Sequence, residues 1–473
     1  MAAAAETDGM LSTESGWPAS TGLPGTRDLD ALTGNRDRVV DLLRIVSLVV
    51  VVAGHSIMLT VEVADGSIHL GNTLGDVPAL QPATWLLQVL PLFFFAGAAA
   101  ATLGWTSRGP ADIPTAGQWL FGRSQRLLRP VFWYLGTVAA VYAVLSRTGA
   151  SAAADVVARL GVQLLWFLGA YLLVLAVVPF LQRLSSGGGV ALALAFCWAS
   201  TAIVDAVRLA DGPAALGYLN FLTVWTIPAV LGVAYAKRIL RPATALAVAV
   251  GALVADLALV SWGPYEVSLV TVPGQQLSNM SPPSLLLAGH AIVLCAGAIA
   301  VRRFLAVVVG RPHVWWWVVL GNRGAMTLYL WHLPVLAAII GTGAALGVDR
   351  ADVGSASFGA VVGVQTLLLL AAMIPVVGVL SPLENRPLPW WDDPVARRSG
   401  PLRNATLLML LAGVGVAILM VARAGLAGEG VWWLVVGLVC AVAARGLAVP
   451  AGRRTTAGVA SRRRGSRQVS ASR

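Results

Sequence analysis

Charge is what this chain has least of. Only 12% of its 473 residues are Asp, Glu, Lys or Arg, about half the share of an ordinary soluble domain. Lysine is nearly absent. Lys237 stands alone among arginines. There are three cysteines, Cys197, Cys295 and Cys440, each inside an apolar block and none at C-x2-C spacing. That argues against a disulfide framework or a thiolate metal site, and they read as small buried side chains. No Walker A, G-x-S-x-G or H-E-x-x-H motif occurs, which removes the common nucleotide-hydrolase, serine-hydrolase and zinc-protease signatures. No internal repeat is evident, and no segment is long and polar enough to be a soluble catalytic domain.

What the chain does have is apolar length. Hydrophobic residues make up 57% and the mean hydropathy is +0.77. Such a chain is not disordered through its body. The apolar residues come in blocks of about 20, the length that crosses a bilayer. Twelve candidate spans lie near 39–60, 85–105, 128–146, 162–181, 189–207, 218–236, 242–261, 284–301, 326–344, 357–380, 405–424 and 430–448. The fold class expected is all-α, a polytopic transmembrane helix bundle of about twelve spans. The stretch Val314–Val319, with Trp315, Trp316 and Trp317, is too short to span and reads as an interfacial or re-entrant piece.

Charge position sets the expected orientation. The net charge of +11 owes eight of its units to arginines between Arg445 and the end, where there are no acids. With the N-terminus inside, the inner loops carry sixteen basic residues and the outer loops five. This is the positive-inside pattern, and an even number of spans puts the basic tail inside too. The chain is therefore expected in the cell membrane with both termini cytoplasmic. Residues 1–37 read as a disordered cytoplasmic leader without a signal-peptide core. Residues 38–390 read as the main membrane domain, 391–448 as a linker with two further spans, and 449–473 as a basic tail. The tail lacks aromatic interleaving and any nucleic-acid module, so no nucleic-acid partner is expected.

The first span carries the chemistry. It runs Arg38-Val-Val-Asp41-Leu-Leu-Arg44-Ile-Val-Ser47 and on to Gly54-His55. Eleven residues advance a helix by about 16 Å with a net turn of about 20°, so Arg44 and His55 share a face. Asp41 and Ser47 join this polar stripe. Ionisable groups inside a bilayer are expensive and usually face a cavity or the bundle interior. A fixed cation suits phosphate or carboxylate, and an imidazole suits acid–base work near neutral pH. Against this stands a plain reading, in which Arg44 snorkels to the interface and His55 is a bonded structural group.

Further candidates follow. Tyr329 and His332 lie three apart on one helix face. Arg123, Arg126 and Arg129, at three-residue spacing before Pro130, form a basic ridge that suits phosphate or topology equally. Glu384, in Glu384-Asn385-Arg386-Pro387, reads as the partner of a nearby arginine rather than as a catalytic acid. His69, His290 and His313 have no partner at metal spacing, and no metal site is expected. Two outer loops, 61–84 and 262–283, are rich in Pro, Gly, Ser and Asn. The second holds Ser278–Pro283, read equally as a shaped acceptor contact or a connector.

These segments together resemble the acyltransferase-3 family of integral-membrane acyltransferases. The resemblance rests on the Arg44/His55 pair, Phe93-Phe94-Phe95 opening the second span and the Arg/Pro exit at Arg129-Pro130. It rests also on Leu165-Trp-Phe-Leu168 and on Tyr329-Leu-Trp-His332-Leu-Pro334, over roughly residues 36–390. Ala96 stands where the family often has serine, and Ala325-Met326-Thr327 departs similarly. The resemblance implies transfer of an acyl group, often acetyl, from a cytoplasmic acyl-CoA to a hydroxyl of an envelope glycan or glycosylated metabolite. It implies acyl-CoA as a co-substrate with no permanently bound cofactor, and Arg44 and His55 as the functional pair. On this reading Arg44, with Arg126 and Arg129, holds donor phosphates. His55 acts on the acceptor or carries the acyl group, and Asp41, Ser47, Tyr329, His332 and Glu384 support the site. The rival reading is a transporter of a polar or lipid-linked substrate, with Arg44 and His55 as a relay. The chain shows neither the repeat symmetry nor the paired broken helices common in transporters.

Overall fold

The computed structural model describes residues 33–34, 36–64, 67–109, 112–272, 274–275, 277–346 and 356–449. The expected leader and basic tail lie almost wholly outside these residues. Among these residues eleven helices are long and apolar enough to cross a membrane, or twelve if one bent pair forms a single span.

Helix α1, Arg38–Met58, starts where Asp37 caps it, accepting from the amides of Val39 and Val40 at 3.0 and 3.1 Å. The capping carboxylate satisfies two donors that the first helical turn leaves open. After α1 the chain forms an antiparallel hairpin, β1 (Leu59–Ala64) with β2 (Ser67–Asn72), in register Leu59↔Asn72. The first of the two long loops, 61–84, thus contains regular structure. A hairpin pairs most of its own backbone polar groups, which a bare loop leaves to solvent. A short 3-10 helix (Pro78–Ala83) and one-turn helices on either side of it lead to α2, Leu90–Thr106.

Helix α3, Ala116–Arg147, begins twelve residues before the span expected from hydropathy. Its 32 residues make about 48 Å of helix, more than the apolar core needs. The extra turns carry Ser124 and Gln125, which are buried and bonded to Leu120 O (2.9 Å) and Trp391 O (2.5 Å). Hydropathy alone does not reveal a helical extension of this kind. Then follow α4 (Ser151–Gln163), α5 (Leu165–Leu181), α6 (Gly187–Leu209), α7 (Asn220–Ala236), α8 (Pro242–Trp262) and α9 (Leu285–Ala300). A 65° bend separates α9 from α10, Arg302–Val309. Next come α11 (Pro312–Arg323), α12 (Ala325–Ala345), α13 (Phe358–Glu384), α14 (Pro401–Ala424) and α15 (Glu429–Ala448).

Helix α7 is the centre of the bundle and is buried along almost its whole length. It approaches α2 closely because Gly232 has no side chain; a Cβ there would sit 2.4 Å from the Phe95 carbonyl oxygen. Small residues at crossing points are how membrane helices gain packing contact. The same device joins α5 to α14, where a Cβ on Gly169 would sit 2.5 Å from the Gly415 carbonyl oxygen. The last two helices are therefore packed on the core. Buried Arg445 of α15 also donates to the Trp390 carbonyl at 2.5 Å.

The tryptophan-rich piece is α11, which rises beside the first turns of α1. Trp315 Nε1 bonds the Thr33 hydroxyl at 3.1 Å, Arg38 lies over the Trp315 ring, and Asn322 donates to the Asp41 carbonyl at 2.9 Å. The long loop between α8 and α9 is tied down by buried Asn279, whose amide donates to the carbonyls of Glu266 and Ser268 at 2.7 and 2.8 Å.

Candidate active site in the first helix

Arg44 turns from α1 toward α2, and His55 toward α12. The Arg44 guanidinium carbon lies 5.4 Å from the centre of the Phe93 ring. Its Nε is buried and has no hydrogen-bond partner among the described residues. His55 meets His332 of α12: Nδ1 of His55 is 3.1 Å from Nε2 of His332.

The proton positions follow from the partners. His332 Nδ1 lies 2.8 Å from the Tyr329 carbonyl oxygen and 3.1 Å from that of Leu328. A carbonyl only accepts, so Nδ1 of His332 carries the proton. In a neutral ring Nε2 is then the acceptor. His55 must therefore donate from Nδ1. Nε2 of His55 is left unprotonated, with no protein hydrogen-bond partner among the described residues. The second histidine thus fixes the tautomer of the first.

Neighbouring contacts hold this pair. Gln365 and Thr366 of α13 bond Ser56, with Gln365 Nε2 at 3.0 Å from the Ser56 carbonyl and Thr366 Oγ1 at 3.0 Å from its hydroxyl. A series of ring contacts leads from Arg44 to His55. Phe93 meets Phe167 at 5.1 Å, Phe167 meets Tyr329 at 5.2 Å, Tyr329 meets His332 at 6.4 Å and His332 meets His55 at 5.2 Å. The cation and the imidazole pair are thus the two ends of one series of packed rings.

Other expected site residues have different employment. Asp41 is buried and pairs with Arg36 at 2.7 Å. Ser47 donates to the Leu43 carbonyl of its own helix at 2.6 Å. The Tyr329 hydroxyl donates to the Leu164 carbonyl at the α4–α5 junction. Arg129 is held bidentately by Asp392, at 2.9 and 2.6 Å, and also donates to the Asn385 carbonyl. Arg126 is exposed. Glu384 does not face an arginine as its sequence context suggested. Its two oxygens accept from Thr327 Oγ1 at 2.7 Å and Trp331 Nε1 at 2.5 Å. The reason is geometric: the end of α13 meets the start of α12, so Glu384 lies under the helix that carries His332.

The reading by residue pattern missed Gln365 and Thr366. Their only signal was two polar side chains together in an apolar span. It also passed over Arg238, Arg302 and Arg303 as topology charges, although they line a cavity at the foot of α1.

The chain matches the acyltransferase-3 family, described as an acyltransferase domain, over residues 37–381. No curated protein and no solved structure matches it.

Proposed function

Because the chain belongs to the acyltransferase-3 family and is therefore an acyltransferase, we propose that it moves an acyl group, acetyl in the first instance, from acyl-CoA to a hydroxyl of an envelope glycan or glycosylated metabolite. The observation that carries this reading is the free Nε2 of His55, presented by His332. Nε2 takes the proton of the acceptor hydroxyl as its oxygen attacks the thioester carbonyl. When the tetrahedral adduct collapses, the carbon–sulfur bond breaks. The sulfur leaves and takes that proton back from the imidazolium. The products are an oxygen ester and free CoA. Arg44 supplies a fixed cation with an unused buried N–H for the anionic donor on its path to His55.

Orientation supports the same reading. On the positive-inside reading with an even number of spans, both termini face the cytoplasm, where acyl-CoA is found. His55 is three residues from the outer end of α1, on the side where an envelope glycan would be presented. The transporter reading loses its ground to the family assignment.

The test is purified protein in proteoliposomes with labelled acetyl-CoA and a membrane glycan fraction. Label should appear in an alkali-labile ester with release of CoA. Neither label transfer nor CoA release with any glycan or glycoside fraction would overturn the proposal.

His332 has its own expected result. His332→Leu removes the acceptor for His55 Nδ1–H and should lower kcat on the order of 10²-fold, with KM for the donor little changed. His332→Gln keeps an acceptor oxygen and should recover part of the rate. Equal losses in both variants, tracking a common fall in thermal midpoint, would make the residue merely structural.

A further inference from the structure

A cavity of about 530 Å³ lies at the foot of α1, apart from the histidine pair. Its polar lining is Asp37, Arg38, Tyr235, Arg238, Arg302 and Arg303. Four arginines thus face one aspartate. That aspartate is already committed, since it caps α1 and accepts from the Tyr235 hydroxyl at 3.1 Å. Arg238, Arg302 and Arg303 have no hydrogen bond or carboxylate partner among the described residues.

The backbone goes out of its way to build this rim. Arg238 sits just past the end of α7 with φ of 54°, a left-handed conformation uncommon for a side chain with a Cβ and concentrated at functional sites. The 65° bend after α9 delivers Arg302 and Arg303 to the same opening. Gathering cations without counter-charges is unfavourable, unless an anion completes the set.

We infer that this cavity binds the phosphates of a ligand carrying two or more of them. The volume suits a nucleotide-sized group. Alignment along α1 adds a direction. Arg44 is 7 residues and His55 18 residues beyond Asp37, so all three share one face of the helix line, with His55 about 27 Å away along the axis. A ligand anchored by phosphates at the foot, with a long thin arm running up that face past Arg44, would bring its far end toward the imidazole. The nucleotide end of an acyl-CoA has this form; identifying it as the ligand rests on the function proposed above. An anionic lipid headgroup offers the same phosphate chemistry. The inference moves the donor-phosphate role from Arg129, which Asp392 occupies, to Arg238, Arg302 and Arg303.

The experiment compares full-length wild type, Arg238→Gln and the Arg302→Gln/Arg303→Gln double variant in nanodiscs. Calorimetry measures binding of CoA, 3′,5′-ADP and inorganic pyrophosphate, with discs of neutral lipid and discs containing phosphatidylglycerol. Wild type should bind CoA and 3′,5′-ADP, more weakly as salt rises. The variants should bind at least 10-fold more weakly. Their KM for acetyl-CoA should rise by a similar factor, while turnover of acetyl-pantetheine, which lacks the nucleotide, is unchanged. Soluble-ligand binding absent in wild type, with phosphatidylglycerol dependence that the variants lose, would support the site and name a lipid as its occupant. Variants that bind CoA and respond to lipid as wild type does would overturn the inference. Binding through these arginines without acyl transfer to any acceptor would leave the inference standing and overturn the proposed function instead.

Discussion

His55→Ala is expected to lower acyl transfer by roughly 10²–10⁴-fold, the usual contribution of a positioned general base. The protein should still fold. His55 is partly exposed, and its loss leaves only the buried Nε2 of His332 without a partner, a penalty of about 1–3 kcal/mol. His55→Asn separates the two effects. Its amide can still donate to His332 Nε2, restoring the buried bond, yet it cannot take a proton from the acceptor. Asparagine should therefore recover the thermal midpoint and none of the rate. Measurement of labelled acetyl transfer by detergent-purified protein decides the matter. A rate within threefold of wild type in both variants would remove His55 from the chemistry.

Asp205→Ala should destabilise the end of the bundle where α6, α7 and α9 meet without touching that chemistry. Asp205 is 1% exposed, and four donors converge on its carboxylate. Oδ1 takes Arg208 at 2.8 Å and Asn220 at 3.0 Å; Oδ2 takes the Leu285 amide at 2.7 Å and the Tyr265 hydroxyl at 3.2 Å. Helices α6, α7 and α9 and the loop between α8 and α9 are thus pinned to one group. Burial, and then the Asp205 charge, hold the Tyr265 hydroxyl well above the ordinary tyrosine range, so it remains a donor. Alanine would leave the largely buried Arg208 without its counter-charge, which destabilises by roughly 3–5 kcal/mol in comparable cases. Asp205→Asn keeps one acceptor oxygen and should lose less. Thermal unfolding in detergent should order the three proteins as wild type, Asn, Ala. An alanine variant with the wild-type midpoint would show that the four bonds contribute nothing net.

The two results bear on different levels of the molecule. Arg44 and His55 could be found in the sequence because both lie on one helix, where angular position follows from residue count. Asp205 could not be found that way. In the sequence it is an acid three residues before an arginine near the end of a span, a common and weak pattern. Its other partners, Asn220, Tyr265 and Leu285, sit on separate elements, and only their packing makes it a hub. Glu384 shows the opposite error. Its neighbour Arg386 invited an ion pair, yet the end of α13 turns the carboxylate onto Thr327 and Trp331 of another helix.

The sequence by itself determined that this is a membrane bundle of about a dozen apolar spans, and that a cation and an imidazole share a face of the first helix. These are properties of local length, hydropathy and helical period, which one segment carries alone. Tertiary structure decided which groups are spoken for: Arg129 by Asp392, Glu384 by Thr327 and Trp331, and His55 by a histidine 277 positions away. It also gathered Arg238, Arg302 and Arg303 from two helix ends onto one cavity. The physical reason is that a buried polar group must find its partner wherever packing brings one, and in a bundle that partner most often comes from another helix.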